Sequence, residues 1–144
     1  MTVQRLLDGK GTFVPVISYD ATLCEAIAQL EIDNVGALVV TDDKRRILGL
    51  LSERDIVRGM KTYDRDIWDK PVSELMTRQV VACEIGEPMA WILQLMDAHQ
   101  IRHVPITRDG LLCGIVSILD VIKYRLAEID AEARALKAYV AGYA

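Results

Sequence analysis

Gly49-Leu50-Leu51-Ser52-Glu53-Arg54-Asp55-Ile56-Val57 returns 65 residues later as Gly114-Ile115-Val116-Ser117-Ile118-Leu119-Asp120-Val121-Ile122. Glycine, serine and aspartate recur at the same three places, and Leu50, Leu51, Ile56 and Val57 fall on apolar partners. Upstream the correspondence continues at an offset of 66 residues. Asp20-Ala21-Thr22-Leu23 falls on Gly86-Glu87-Pro88-Met89, Leu30 on Met96, Val35 on Ile101, and Val39-Val40-Thr41 on Pro105-Ile106-Thr107. The change of offset makes the intervening turn one residue longer in the first copy. Self-similarity at such a period means one supersecondary unit used twice.

Each copy reads as strand, helix, strand, strand, helix. In the first, Phe13–Ile17 is a short apolar strand. Thr22 with Glu25 forms a capping box that opens a helix running to about Asp33, with Ala26, Ile27 and Leu30 on its buried stripe. Ala37–Thr41 and Ile47–Leu51 flank the polar turn 42–46 and make a hairpin. Ser52 opens a second helix to about Lys61. In the second copy Val80–Cys83 is the strand, Pro88 takes the first helical position, and Ile92, Leu93 and Met96 mark the helix. His103–Thr107 and Leu111–Val116 flank Arg108-Asp109-Gly110, whose Asp-Gly pair is a strong hairpin signal. Val72–Met76 is a short helix leading into this copy. A last helix starts after Ser117 and reaches Val140. Along it Ile122, Leu126, Ile129, Ala133, Leu136 and Val140 are spaced as heptads, which points to a partner helix, with folding back on its own domain as the alternative.

The chain has 144 residues, 51% hydrophobic and 26% charged, with net charge −4. It can bury a core, and it lacks the basic excess that nucleic-acid binding by the whole surface needs. No apolar run approaches the roughly 20 residues of a membrane span, and the first ten residues hold no apolar signal core. A cytoplasmic protein without membrane or nucleic-acid partners is expected. Cys24, Cys83 and Cys113 are far apart in apolar surroundings, so buried reduced thiols are expected rather than a disulfide frame. His99 and His103 are four apart, but no Glu or Cys completes a metal set, so no metal is expected.

The duplicated strand–helix–strand–strand–helix unit closing in Gly-φ-φ-Ser-x-x-Asp (φ apolar) resembles a cystathionine-β-synthase (CBS) domain pair. Asn34–Val40, Leu51–Asp55, Val72–Thr77 and Ile101–Ile106 carry the likeness, which covers about Val3 to Leu126. The resemblance implies an α/β (α+β) fold of two β-α-β-β-α repeats related by pseudo-two-fold symmetry. Its expected divisions are repeat 1 at 3–62, a linker at 63–71, repeat 2 at 72–127 and a C-terminal helical extension at 128–144. It also implies a non-catalytic regulatory or sensor module, often a homodimer. Such a module binds an adenine nucleotide (AMP, or ATP, ADP or NAD(H)) between the repeats and signals to a regulated protein partner.

Ser52 with Asp55, and Ser117 with Asp120, stand at the N-cap and third position of a helix. A helix N-terminus favours anions and hydroxyl-bearing ligands, and an ionised Asp can accept both hydroxyls of a ribose. Ser-x-x-Asp is also a capping box, worth about 1 kcal/mol with no ligand, and both roles can coexist. The resemblance assigns ribose to Ser52, Asp55, Ser117 and Asp120. It assigns phosphate to Arg54, Arg102 and His103, with Arg58 one helical turn from Arg54. The alternatives are a solvated charged face for Arg54 and Arg58, and a strand histidine bonded to backbone for His103. Adenine would meet Pro15 and Val35 in one cleft, and Val81 and Ile101 in the other; each is also an ordinary core residue. In the family each cleft borrows its aspartate from the opposite repeat, so Asp120 serves Pro15 and Val35, and Asp55 serves Val81 and Ile101. Leu119 stands where the first motif has Arg54, and Gly36-Ala37 stand where the second copy has Arg102-His103. Tighter nucleotide binding is therefore expected at the Asp55 cleft.

Two other readings remain. One is a structural dimerisation module with vestigial clefts. The other is an enzyme using His103, Cys113 or Asp120, disfavoured because no nucleophile elbow, phosphate loop or carboxylate pair accompanies them.

Overall fold

The computed structural model describes residues 2–11 and 13–142. Two three-stranded sheets carry the fold. β1 (Val16–Ser18) lies parallel to β2 (Ala37–Thr41), which pairs antiparallel with β3 (Ile47–Ser52). In the second sheet β4 (Cys83–Glu84) lies parallel to β5 (His103–Arg108), which pairs antiparallel with β6 (Leu111–Ser117). The helices are α1 (Val3–Lys10), α2 (Leu23–Asp33), α3 (Glu53–Tyr63), α4 (Val72–Leu75), α5 (Met89–His99) and α6 (Ile118–Gly142). The mixed α/β architecture with a C-terminal helix is the one expected.

Local chemistry sets most boundaries. Thr22 and Glu25 form the capping box of α2, whose C-cap Asn34 takes the left-handed conformation at φ 52°. Asp109 and Gly110 both have positive φ, so the β5–β6 hairpin closes through a turn whose twist matches its strands. In the longer β2–β3 turn, Asp42 Oδ1 accepts the Lys44 and Arg46 amides, each at 2.9 Å.

The two short parallel strands lie further along the chain than expected. Pro15 has no N–H to give the ladder, so pairing begins at Val16 and leaves Phe13 64% exposed. Val80 and Val81 leave the second sheet to line a cavity, and pairing begins at Cys83. Pro88 is the N-cap of α5 rather than its first helical residue. Cys24 is exposed, because the helical period that buries Leu23 and Ala26 turns it outward; Leu93 is turned outward from α5 in the same way. Part of the expected linker is structured. Asp64–Asp69 forms a 3-10 turn that seats Ile67 in the core of the first repeat.

The two cores exchange their leading helices. Val72 and Leu75 of α4 pack with Leu23, Leu38 and Leu51 of the first repeat. Val3, Leu6 and Leu7 of α1 pack with Ile92, Val104 and Val116 of the second, although α1 precedes the first. Gly49 and Gly114 make this exchange possible. A Cβ on Gly49 would lie 2.5 Å from Met76 Sδ and 2.9 Å from the Thr77 carbonyl oxygen; one on Gly114 would lie 2.8 Å from Leu7 Cδ1. Between the repeats, Val39 meets Leu112 and Ile115 in a third apolar cluster.

Candidate functional site

Ser52 ends β3 and caps α3. Its hydroxyl oxygen accepts the Asp55 amide at 3.3 Å, while Asp55 Oδ2 accepts the Ser52 amide at 2.8 Å and the Ser52 hydroxyl at 3.0 Å. The expected capping box is therefore present, and Asp55 is only 7% exposed. Its other oxygen, Oδ1, accepts the Thr77 hydroxyl at 2.9 Å. Thr77 is fixed in turn, because its backbone exchanges two 2.9 Å hydrogen bonds with Leu50. Arg58 Nη1 stands 4.0 Å from Asp55 Oδ1.

Asp55 opens onto a cavity of about 410 Å³ between the repeats, within the size range of small-molecule and cofactor sites. The first repeat contributes Ser52, Glu53, Arg54, Asp55 and Arg58; the second contributes Val81, Ile101, Arg102 and His103. Every residue expected at the Asp55 cleft thus lines one cavity. The arrangement sets a desolvated carboxylate at a helix N-terminus, apolar side chains from the other repeat, and three guanidinium groups around one space. It can accept hydroxyls at one end and meet anionic oxygens with cations at another. His103 brings an imidazole to the same space. Burial, helped by the charge of Lys10, lowers its pKa, so at neutral pH it is a neutral hydrogen-bonding group.

The second motif repeats the cap. The Ser117 hydroxyl accepts the Asp120 amide at 3.1 Å, and Asp120 Oδ2 accepts the Ser117 amide at 2.8 Å. Asp120 Oδ2 also accepts from Lys10 Nζ at 2.5 Å. Burial pushes the Asp120 pKa up, but the Lys10 and Ser117 hydrogen bonds outweigh it and hold the carboxyl below its ordinary value. Pro15 is buried with its carbonyl on the Val39 amide at 2.9 Å, and Val35 packs into the first core. Neither lines the Asp55 cavity, and the Asp120 carboxylate is hydrogen-bonded to Ser117 and Lys10.

Thr77, Gln79, Val80, His99 and Gln100 also line the cavity and were not expected there. Thr77 was visible in the Val72–Thr77 string; nothing in the sequence marked Lys10. Among the described residues no group of three or more His, Cys, Asp or Glu could hold a metal, and no helix is long and apolar enough to cross a membrane.

Fold and site together define a two-repeat module with a polar cleft between its halves. The CBS domain model matches residues 12–62 and 72–127, and the chain belongs to this family. CBS domain-containing protein YhcV of Bacillus subtilis is 34% identical over 82% of this chain and 83% of its own. CBSX3, a mitochondrial CBS domain-containing protein of Arabidopsis thaliana, is 31% identical over 85% of this chain, which spans only 62% of that protein. The crystal structure of ATU1752 from Agrobacterium tumefaciens, a CBS-domain containing protein, matches with TM-score 0.83 and 36% identity, covering 87% of this chain and 99% of that one. CBSX2, solved in complex with AMP, shares the fold at TM-score 0.73 and 21% identity, over 88% of this chain and 96% of its own.

Proposed function

We propose that the chain is a non-catalytic regulatory module that takes one adenine nucleotide, AMP or a relative such as ATP, ADP or NAD(H), in the Asp55 cleft. The observation that carries this reading is the single cavity joining Asp55 and Ser52 of one repeat to Val81, Ile101 and Arg102 of the other. In it Asp55 and Ser52 take the ribose, Val81 and Ile101 flank adenine, and Arg54, Arg58 and Arg102 face phosphate. His103 adds a neutral donor or acceptor. The AMP complex of CBSX2 supports the ligand class. A nucleotide held by both repeats favours one relative orientation of them, and that shift in population is the signal read by a protein partner. The three unpaired thiols suit a reducing cytoplasmic setting.

A thermal-shift series with AMP, ADP, ATP and NAD(H) tests this. A ligand at 100 times its dissociation constant stabilises the fold by about 2.7 kcal/mol, so at least one nucleotide raises the melting midpoint. No response to any of the four, from a folded protein, rejects the reading in favour of a structural dimerisation module.

The proposed partner of α6 is the same helix of a second molecule. Val121 is buried and Tyr124 packs into the second core, whereas Ile122, Leu126, Ile129, Leu136 and Val140 are 47–63% exposed. With Leu126, Ala133 and Val140 at a, and Ile122, Ile129 and Leu136 at d, a parallel pair sets Arg125 against Asp130 of the other copy. It also sets Glu132 against Lys137. Both contacts are attractive, which favours a parallel homodimer.

A further inference from the structure

Asp55 and Asp120 are repeat partners held by different donors. Asp55 Oδ1 takes the neutral hydroxyl of Thr77; Asp120 Oδ2 takes the ammonium of Lys10. Both donors come from the ends of equivalent helices. Val72 and Ser73 at the start of α4 bond through their amides to the carbonyls of Ala21 and Tyr19, and Val3 and Gln4 at the start of α1 bond to those of Glu87 and Ile85. Those carbonyls belong to repeat-related residues. The helices end differently. α4 stops at Leu75, and the chain turns so that the Thr77 backbone pairs with Leu50. α1 continues to Lys10, whose Nζ reaches the carbonyl of Ile115, the repeat partner of Leu50, at 2.7 Å. One lysine side chain thus contacts the equivalent strand position and the equivalent carboxylate, through the oxygen that also accepts the Ser117 amide, where Thr77 takes the other oxygen of Asp55.

We infer that Lys10 is a tethered cation that reserves Asp120, leaving Asp55 as the chain's one open ribose site; the inference rests on the nucleotide reading above. A threonine hydroxyl can turn aside, or accept a hydrogen bond itself, when a sugar hydroxyl arrives. The ammonium cannot accept. It sits between a carboxylate and a carbonyl, with the Lys10 and Asp120 side chains 30% and 20% exposed. A neutral diol that displaced it would break two hydrogen bonds and separate a partly desolvated ion pair, with no charge of its own to offer Asp120. Lys10 therefore sets how many nucleotides one chain takes up.

Calorimetric titration with AMP tests this on the wild type, Asp55→Asn, Lys10→Met and the double variant. Methionine keeps the aliphatic stem of Lys10 and removes its charge. The wild type takes one AMP per chain, Asp55→Asn weakens that event at least tenfold, Lys10→Met takes two, and the double variant regains one. Two events in the wild type, or still one in Lys10→Met, overturn the inference and leave the Asp55 site standing. No AMP uptake by the wild type removes the nucleotide reading instead, and amine reactivity then decides on the lysine alone. With sulfosuccinimidyl acetate and mass spectrometry, Lys10 acylates several-fold more slowly than exposed Lys44 in the wild type, and at the same rate in Asp120→Asn. Equal rates in the wild type overturn the inference whatever AMP does.

Discussion

Replacing Asp55 by asparagine separates the two roles of this residue. Asparagine has the same shape and keeps one acceptor oxygen. The Ser52 amide retains its partner, and the Thr77 hydroxyl can accept from the new amide group. The fold loses the extra strength of charge-assisted bonds now made at 2.8 to 3.0 Å, and the favourable charge at the start of α3, about 0.3–1 kcal/mol. The total is about 1–2 kcal/mol, or a fall of roughly 3–8 °C in melting midpoint for a chain of this size. A bound ribose loses more. Two hydroxyls need two acceptors, and the amide offers one acceptor and one donor, so at least one bond to a charged group disappears. Such a bond is worth about 1.5–3 kcal/mol, roughly a 10- to 150-fold loss of AMP affinity. Calorimetry reads the affinity and a thermal melt reads the fold. AMP affinity within twofold of wild type, alongside the expected drop in melting midpoint, would falsify the ribose role and leave Asp55 a helix cap only.

Gly49→Ala pushes a methyl against the Thr77 carbonyl at 2.9 Å, costs about 1–3 kcal/mol, and is only partly rescued by Met76→Ala, because the backbone contact remains; full rescue in thermal melts would show that Met76 alone sets the constraint. Ile129→Glu with Leu136→Glu converts the proposed homodimer to a species of 16.1 kDa in light scattering with an unchanged far-ultraviolet spectrum; a wild type already at 16.1 kDa rejects the dimer, and a variant that stays dimeric places the interface elsewhere. Lowering the pH destabilises the fold in two stages. The unfolded chain binds a proton at His103 near pH 6.5 that burial and Lys10 oppose in the fold, so stability is fully present above that pH and falls as pH drops through the lower folded value. The second stage comes in acid, when Asp120, held low by Lys10, is protonated. His103→Asn removes the first stage in melts taken from pH 7.5 to 5, and an unaltered pH profile in that variant would exclude His103 as its source.

The repeat was legible because it is written in features of short range. Capping pairs such as Thr22 with Glu25, the Asp109-Gly110 turn and the apolar runs of the hairpins each act within a few residues. The walls of the Asp55 cavity were legible only through the family resemblance, which pairs the aspartate of one repeat with apolar residues of the other; the Ser-x-x-Asp motif alone reads equally as a helix cap. The short parallel strands were misplaced because three residues in β1 and two in β4 carry too little alternation to fix a register. The seat of α1 was not legible either. Its apolar stripe says that it packs but not on which repeat, and the Lys10–Asp120 bond joins residues 110 apart. The outward turn of Cys24 was available from the helical period and was outweighed by its apolar neighbours.

The exchange of α1 and α4 has a consequence for how the molecule can come apart. A piece cut from either half would lack the lid that its own hydrophobic centre needs, Leu6 and Leu7 in one case, Val72 and Leu75 in the other. The ribbon is in effect a domain-swapped pair written on a single strand, so its halves melt together and neither survives alone as a fragment.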